Sequence, residues 1–264
     1  MLADALEVHQ RELALRWATV QGGVAHDTPS MFRTVVGLPV SYTNQAGAAR
    51  LTDENAGAEI EATEALLREH GVPGLWWVRL PGHPPDLGDL LLARGWTFDE
   101  EMPWMAASID SILAGLPEPP EDLRIEAVEG DAAQARWLAA MTAGFGLGNS
   151  GRAAMTRLAD AVGYGRDRPW RRFAGTMGGR AVGSSGLMIS SRVAGIYNVA
   201  TDPEFRRRGI ASAMTGRALR EARDRGYQVA ILGASPMGLP VYTRMGFVEV
   251  CRLRFYEFDP REST

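Results

Sequence analysis

The spacing of hydrophobic positions alternates between helical and strand-like periods and predicts two successive sets of elements. In the first set, helices are expected over residues 2–20, 52–70 and 86–94. Strands of this set are expected over residues 31–37, 40–46 and 75–80, with a further strand after Trp96 that ends near residue 108.

The second set begins after a segment rich in proline. Residues 109–122 contain three prolines among acidic side chains, which is typical of a linker. Beyond it, the pattern predicts a strand at 123–128, a helix from Asp131 to about Thr142, a hairpin at 171–191, a strand at 195–201, a long helix, a strand at 228–234 and a last helix. We therefore expect two α/β domains, residues 1–108 and 123–264, joined by the linker 109–122.

The segment Asn198–Ser212, which reads NVATDPEFRRRGIAS, carries the clearest functional signal. A strand ends just before Asp202, three arginines follow, and a helix begins near Gly209. The first N–H groups of a helix have no partners within it and lie at the positive end of its dipole, so they favour phosphate groups. Gly209 and the small Ala211 let such a group approach the backbone closely. We therefore predict a pyrophosphate site at this turn.

This turn and the residues after it resemble the GCN5-related N-acetyltransferase (GNAT) superfamily. Residues 206–211, RRRGIA, fit the family's R/Q-x-x-G-x-G/A motif, with alanine in the last place. Residues 228–234 resemble the family's next strand. Residues 235–247, SPMGLPVYTRMGF, resemble its closing motif, a helix that bears a tyrosine and is followed by G-F. The order of elements agrees over roughly residues 123–258.

The resemblance implies two GNAT-like domains, each a mixed, mostly antiparallel twisted sheet flanked by helices. It also implies direct transfer of the acetyl group of acetyl-CoA to an amine, through backbone pairing with the pantetheine arm and N–H contacts to the pyrophosphate. The residues expected to hold acetyl-CoA are Val199, Ala200, Thr201, Arg206, Arg207, Arg208, Gly209, Ile210, Ala211, Ser212, Ser235 and Tyr242.

Tyr242 is the residue expected to act in catalysis, because a phenol can donate its proton to the sulfur that leaves. Packing of the ring in the core is the alternative for this residue. Ser235 stands where relatives often have asparagine. It can contact the cofactor or cap the helix that holds Tyr242, and both roles are compatible.

The proton acceptor is not evident from the motifs. Relatives often carry a glutamate on the strand before the closing motif, and Ile231 stands there in this chain. The remaining alternatives are a water ordered by Tyr197 or Asn198, or one of the loop carboxylates Asp160 and Asp167.

The first set of elements resembles a truncated copy of the second. Residues 91–96, LLARGW, are similar to residues 242–247, YTRMGF, but no R-x-x-G-x-G/A motif precedes the helix at 52–70. We therefore expect a degenerate GNAT domain at residues 1–108 that has lost its cofactor loop, and one acetyl-CoA bound per chain.

Composition excludes several other chemistries. The chain contains no lysine, so neither a Walker A loop nor a pyridoxal Schiff base is possible. Its single cysteine, Cys251, excludes an internal disulfide and favours a reducing cytoplasm. The four histidines all precede residue 84, which excludes a Ser-His-Asp triad confined to the second half, and their spacing matches no metal site. No run of 18 apolar residues is present, and the N-terminus lacks a secretory pattern.

Charge is divided unevenly and bears on the partners. Residues 1–120 carry 17 acidic residues and 7 arginines, a net charge of −10, whereas residues 121–264 carry a net charge of +6. The basic half suits an anionic cofactor, and the acidic half suits a small cationic amine acceptor; overall acidity disfavours nucleic acid. Trp76, Trp77, Trp96 and Trp104 can wall the acceptor pocket or pack in the core. The alternatives to an acetyltransferase are a non-catalytic acyl-CoA sensor and an acyltransferase for a longer acyl-CoA.

Overall fold

The computed structural model of the protein describes residues 2–168 and 170–262. This part of the chain contains eight α-helices: α1 Leu2–Gln21, α2 Ala56–His70, α3 Leu87–Ala93, α4 Ile109–Gly115, α5 Asp131–Phe145, α6 Asn149–Val162, α7 Ile210–Asp224 and α8 Leu239–Met245. It also contains eleven strands: β1 Val24–Asp27, β2 Phe32–Val35, β3 Gln45–Gly47, β4 Gly74–Arg79, β5 Thr97–Ser108, β6 Arg124–Ala127, β7 Trp170–Met177, β8 Arg180–Ile189, β9 Ala194–Thr201, β10 Val229–Gly233 and β11 Val248–Phe258.

All of these strands belong to one sheet. Its order is β1-β2-β3-β4-β11-β5-β10-β9-β8-β7-β6. Only β3 with β4 and β9 with β10 run parallel, and the other neighbours are antiparallel. The mixed, mostly antiparallel sheet flanked by helices that was expected from the resemblance is confirmed, with the two expected sheets fused into one.

The two halves exchange their last strands at the centre of this sheet. The last strand of the first half, β5, pairs with β10 of the second half, with Ala106 opposite Ile231. The last strand of the second half, β11, pairs in turn with β4 of the first half, with Tyr256 opposite Trp76. Because β5 and β11 also pair with each other, each half completes the other's ladder of backbone hydrogen bonds.

The same series of elements occurs on both sides of this exchange. β3, α2, β4, α3 and β5 of the first half follow the order of β9, α7, β10, α8 and β11 of the second. The helices α2 and α7 each have 15 residues, and α3 and α8 each have 7. This correspondence covers whole elements, in the order that the sequence pattern indicates, and it includes the lengths of the helices.

Helices cover both faces of the sheet. Ala230 and Leu232 of β10 pack in a core with Ile109, Met214 and Tyr242 from α4, α7 and α8. Ile231, which lies between them on the strand, belongs to a separate core with residues of α1, because side chains alternate between the faces of a strand. A further core on the α1 side is formed by α5 and α6 against β7 and β8.

The Pro-rich segment is shorter than expected, because its first residues form α4. The Ser108 hydroxyl accepts a hydrogen bond from the Ser111 N–H and caps this helix. Ile109 and Ile112 are buried against α7, so this half of the segment belongs to the core. Burial of the two isoleucines therefore stabilises a helix here, even though the proline-rich residues that follow favour turns.

The expected strand at 40–46 is another departure. Residues 41–43 form a 3₁₀ turn, and only Gln45–Gly47 are strand. The Asn44 side chain explains the break: its Oδ1 accepts from the N–H groups of Val36 and Gly37, and its Nδ2 donates to the carbonyl groups of Leu38 and Pro73. Its Nδ2 also donates to the Val40 carbonyl at 3.3 Å, so a buried amide with five backbone partners holds this segment in a turn. The helix α6 was not predicted from the sequence at all.

The strand exchange predicts that the second half does not fold alone. A chain of residues 116–264 lacks β5, so one edge of β10 and both edges of β11 lose their pairing partners, and exposed edges of this kind aggregate. We expect this fragment to be insoluble or oligomeric in size-exclusion chromatography. Co-expression with residues 1–115 is the control and restores a monodisperse complex. A monomeric fragment that melts at the temperature of the full chain would contradict the prediction.

His9 predicts a loss of stability in acid. It lies on α1 with 1% of its surface exposed, and burial, followed by the charge of Arg16, lowers its pKa to about 3. Because the unfolded chain binds the proton with a pKa near 6.5, the stabilisation is complete above about pH 6.5 and is lost as the pH falls towards 3. The difference is up to about 5 kcal/mol at 1.36 kcal/mol per pKa unit. Urea midpoints of His9→Phe should fall less steeply than those of wild type between pH 6 and 4; parallel curves would disprove the assignment.

Candidate active site

The neighbouring parallel strands β9 and β10 separate along their length and open a cleft. They pair only at Ala194 with Ala230 and at Gly195 with Ile231. Beyond this point β10 continues to pair with β5 through Gly233, but not with β9. Val199, Ala200 and Thr201 of β9 therefore line the cleft, with an edge that β10 leaves free.

A bulge marks β9 where the strands separate. Ala200 is opposite Ser184 and Tyr197 is opposite Gly186, so two residues of β9, Asn198 and Val199, are opposite the single residue between them on β8. Asn198 has a φ of +52°, and its carbonyl accepts a hydrogen bond from the Ser184 hydroxyl at 2.8 Å. A bulge bends its strand and turns backbone groups away from the ladder. In β9, the backbone groups that the bulge turns away from the ladder lie beside the cleft.

The start of α7 forms the second wall of the cleft. Its N-cap residue Gly209 has a φ of +79°, and no side chain caps the helix. Arg207 also lies in the left-handed region, with a φ of +64°. The turn therefore exposes the first N–H groups of a 15-residue helix to the cleft, and residues 209–212 all line it. This is the arrangement that favours a phosphate group.

The three arginines of the turn differ in position. Arg207 lines the cleft, and Arg206 lines it while donating a hydrogen bond to the carbonyl of Gly144 at 3.0 Å. Arg208 is not among the lining residues; its guanidinium lies 5.0 Å from the ring centre of Phe205. With Arg244, the cleft has three cationic side chains, and none of its lining residues is acidic. The charge of the site suits an anion.

Tyr242 lies on α8 with only 8% of its surface exposed. Its ring packs edge to face against Phe247, with centroids 5.9 Å apart. Burial raises the pKa of Tyr242 to about 12, and the nearby Thr215 hydroxyl opposes this shift. The phenol is therefore protonated throughout the neutral range and available as a hydrogen-bond donor. A Cβ at Gly238 would lie 2.9 Å from the ring, so the glycine leaves room for it.

Ser235 occupies the mouth of the cleft and also supports α8. Its hydroxyl accepts a hydrogen bond from the Gly238 N–H at 3.2 Å, and its carbonyl accepts one from Leu239 at 2.8 Å. The side chain is exposed and lines the cleft. The two roles that the sequence left open for Ser235 are compatible in this geometry.

The cleft has a volume of about 630 Å³, which is ample for an extended cofactor arm. It brings together all the predicted binding residues except Arg208. The structure adds lining residues that the motifs do not mark: Gly144, Phe145, Met237, Gly238, Pro240, Val241 and Arg244. The side chains of Phe145 and Met237 are 51% and 65% exposed. Exposed apolar side chains beside a cleft can be recognised only once the fold is known.

The candidates for the proton acceptor lie in different environments. Ile231 is fully buried on the α1 face of β10, so a carboxylate is missing from that position. Tyr197 donates a hydrogen bond to Gln10 at 2.9 Å, and burial raises its pKa. Asp160 accepts from Gln134 at 2.5 Å, which ties it to α5, and Asp167 is exposed on a loop. Of these groups, Tyr197 flanks the bulge at Asn198.

The corresponding place in the first half is filled. β3 ends at Gly47, where a Cβ would lie 2.3 Å from the indole of Trp77, so this ring packs directly on the backbone. Leu91, near the position equivalent to Tyr242, is fully buried. All four tryptophans considered as pocket walls, Trp76, Trp77, Trp96 and Trp104, are at most 3% exposed and pack in the cores.

Comparison with known proteins agrees with this geometry. Residues 189–250, which span β9, the turn, α7, β10 and α8, match the family model described as "Acetyltransferase (GNAT) domain". This segment of the chain is therefore similar to the acetyltransferase domain of the GCN5-related N-acetyltransferase superfamily. No curated protein matches the chain in sequence. Within the described residues, no group of His, Cys, Asp and Glu side chains is placed to hold a metal, and no helix is long and apolar enough to cross a membrane.

Solved structures of GNAT proteins are similar to the whole chain. A GCN5-related N-acetyltransferase from Kribbella flavida is 17% identical with a TM-score of 0.66, and the match covers 96% of both chains. A functionally unknown protein from Staphylococcus epidermidis is 14% identical with a TM-score of 0.71, covering 90% of this chain and 94% of that one. A tandem GNAT protein from the clavulanic acid biosynthesis pathway is 14% identical with a TM-score of 0.57, covering 87% and 78%. At these identities the likeness concerns the fold, which in GNAT enzymes supports acyl transfer from acyl-CoA.

The start of α7 offers a matched pair of substitutions. Gly209 and Gly226 flank the two ends of this helix, have φ values of +79° and +84°, and have no atom within 4 Å of an added Cβ. Valine at either site is strained by a similar amount, of order 1–3 kcal/mol. We expect Gly209→Val to weaken acetyl-CoA binding at least tenfold in calorimetry, because its side chain covers the exposed N–H groups. Gly226→Val is the control, with wild-type affinity and a stoichiometry of one. Equal acetyl-CoA affinities in the two folded variants would show that the pyrophosphate does not bind at this turn.

Proposed function

We propose that this protein is an N-acetyltransferase that transfers the acetyl group of acetyl-CoA directly to a small-molecule amine. The observation that carries the proposal is the meeting of three features in one cleft: the free edge of β9, the uncapped start of α7 and the buried phenol of Tyr242. The first two suit an extended, anionic arm, and the third suits the point where a sulfur leaves.

The residues of the cleft fit acetyl-CoA in its chemistry as well as in its charge. The pantetheine arm pairs with the backbone of residues 199–201 as an added strand pairs with a sheet edge. The N–H groups of residues 209–212 and the side chains of Arg206 and Arg207 hold the pyrophosphate. Acetyl-CoA supplies the acetyl group as an activated thioester.

Tyr242 contributes a hydrogen bond at the leaving sulfur. A thiol has a pKa of about 8.5, whereas the pKa of Tyr242 is raised to about 12, so the phenol is the weaker acid. It keeps its proton in the ground state and stabilises the negative charge as it develops on sulfur. A donor of this kind in a water-poor site typically contributes about 10²–10³-fold to a rate.

The first half acts, in this proposal, as a degenerate GNAT domain that binds no cofactor. Its helix α2 starts with Asn55, whose side chain accepts a hydrogen bond from the Thr52 N–H, and Arg50 is held by Glu7 through two hydrogen bonds of 2.6–2.7 Å. Arg50 and Asn55, which lie in the segment that corresponds to the pyrophosphate turn, are therefore engaged within the protein, although no side chain caps α2 itself. The half also places a net charge of −10 beside the catalytic half, which attracts a cationic amine.

A non-catalytic acyl-CoA sensor is the rival function, and the buried Ile231 at the usual place of the base is the observation that favours it. Release of CoA in the presence of a panel of amines separates the two. A sensor binds acetyl-CoA and releases none beyond the rate without amine. Competition of acetyl-CoA with longer acyl thioesters in the same assay decides between acetyl transfer and transfer of a longer chain.

Removal of the phenol tests the role of Tyr242. We expect Tyr242→Phe to lower kcat by about 10²–10³-fold while acetyl-CoA affinity changes less than threefold, since the loss falls on the reacting sulfur. Tyr227→Phe is the matched control, because that hydroxyl donates to the Ser190 carbonyl at 2.8 Å, outside the cleft lining. A decrease in kcat below threefold, with chemistry shown to be rate-limiting by single-turnover kinetics, would return Tyr242 to a packing role.

A further inference from the structure

His9 is a buried polar group without a partner in the protein. Neither Nδ1 nor Nε2 has a hydrogen-bond partner among the described residues, although the ring is almost completely buried. It stacks on Tyr197, with ring centroids 5.8 Å apart and planes 8° from parallel. An unpaired buried polar group costs about 1–3 kcal/mol. Two such atoms on one ring leave the hydrogen-bonding capacity of this imidazole unused within the protein.

His9 lines an apolar pocket between α1, α6 and the strands β7 and β8. Leu13 and Trp17 of α1 face Val162, Trp170 and Met188 across it. The charged residues are at the rim, where Glu12 accepts hydrogen bonds from the N–H and hydroxyl of Ser191, and Arg16 donates to the Ile189 carbonyl at 3.2 Å. The pocket is therefore an apolar slot with one unpaired imidazole in its wall.

His9 brings this pocket against β9, the strand that also lines the cleft, although the pocket and the cleft share no lining residue. A Cβ at Gly195 would lie 2.3 Å from His9 Nε2, so the imidazole rests directly on the backbone of β9. Gly195 is also the last residue of β9 that pairs with β10. The pocket thus approaches the sheet, from the α1 face, at the point where the two strands separate.

We propose that this pocket is the amine-binding site of the protein and that it takes a primary amine with a short, branched apolar tail. The inference rests on the proposed function. The tail lies between Leu13, Trp17 and Met188, and the amine N–H donates to an unpaired nitrogen of His9. The pocket is small, with a volume of about 40 Å³, so it suits a short tail better than a long chain.

The chemistry of the pocket selects the neutral form of the amine. An apolar wall disfavours an ammonium ion, because burial destabilises the charged state. A neutral imidazole has one acceptor nitrogen, and a neutral amine retains N–H donors together with the lone pair that attack requires. The net negative charge of the first half attracts the cation from solution, and the pocket binds it after loss of a proton.

Direct binding is tested in the absence of acetyl-CoA with isobutylamine as the probe. Imidazole nitrogen signals of ¹⁵N-histidine-labelled full-length protein are followed by NMR at about pH 9.5, and His9 is assigned by the signal missing from His9→Phe. We expect isobutylamine to shift the His9 signals, and hexylamine and ethanolamine to shift them less. No shift with isobutylamine at concentrations that saturate turnover overturns the proposal.

Two variants test the same pocket through turnover. Leu13→Ala enlarges the slot and should move the kcat/KM preference towards hexylamine over isobutylamine at least threefold. Loss of stability alone cannot produce such a gain for one amine.

His9→Phe keeps the stacked ring and removes both nitrogens. It should lower kcat/KM for isobutylamine about 3- to 10-fold, the effect of one lost hydrogen bond, without weakening acetyl-CoA binding. His70→Phe makes the same exchange at an exposed site and serves as the control.

The outcomes separate this inference from the proposed function. If isobutylamine shifts the His9 signals but no amine is acetylated, the pocket stands and the transferase function fails. If amines are acetylated with preferences that neither Leu13→Ala nor His9→Phe changes, the function stands and the pocket assignment is overturned.

Discussion

The separation of β9 from β10 is the constraint on which the rest of the molecule depends. Two parallel strands that stop pairing leave backbone N–H and C=O groups without partners, and such groups must find others. On its other edge β10 keeps its pairing with β5 through Gly233, so only the edge that faces β9 loses its partner. On the β9 side residues 199–201 line the cleft, so the backbone that β10 leaves free is offered to an extended ligand.

This arrangement ties the first half to the cleft through β5, even though that half has no R-x-x-G-x-G/A motif of its own. The strand β5 is the only neighbour of β10 on its second edge, and Met102 and Trp104 of β5 pack against Gly233, where a Cβ would lie 2.6 Å from the Met102 sulfur. The strand β11 of the second half pairs in turn with β4 of the first half. The two halves therefore cannot separate without losing backbone hydrogen bonds at the centre of the sheet. The sheet therefore acts as one unit.

The two halves differ at their equivalent turns in chemistry rather than in length. Eight residues join β3 to α2, and eight join β9 to α7. In the first turn, Leu51 is buried, Arg50 is held by Glu7, and the Asn55 side chain engages the backbone. In the second, Gly209 and Arg207 adopt positive φ values, whereas neither helix start has a side-chain cap. The ring of Trp77 packs on Gly47 at the end of β3 and fills the place that corresponds to the cleft of the second half.

The sequence by itself determined the features that depend on neighbours along the chain. The Arg-rich turn before α7, the long helix after it and the G-F closing motif are local, because capping, helix dipoles and glycine conformations act within a few residues. Tertiary structure decided what depends on distant pairing: the strand exchange, the conversion of residues 109–115 into a helix by burial of Ile109 and Ile112, and the filling of the first half by Trp77. It also placed His9, unremarkable in sequence, against Gly195 some 186 residues away, since no periodic pattern encodes which strand a helix will cover.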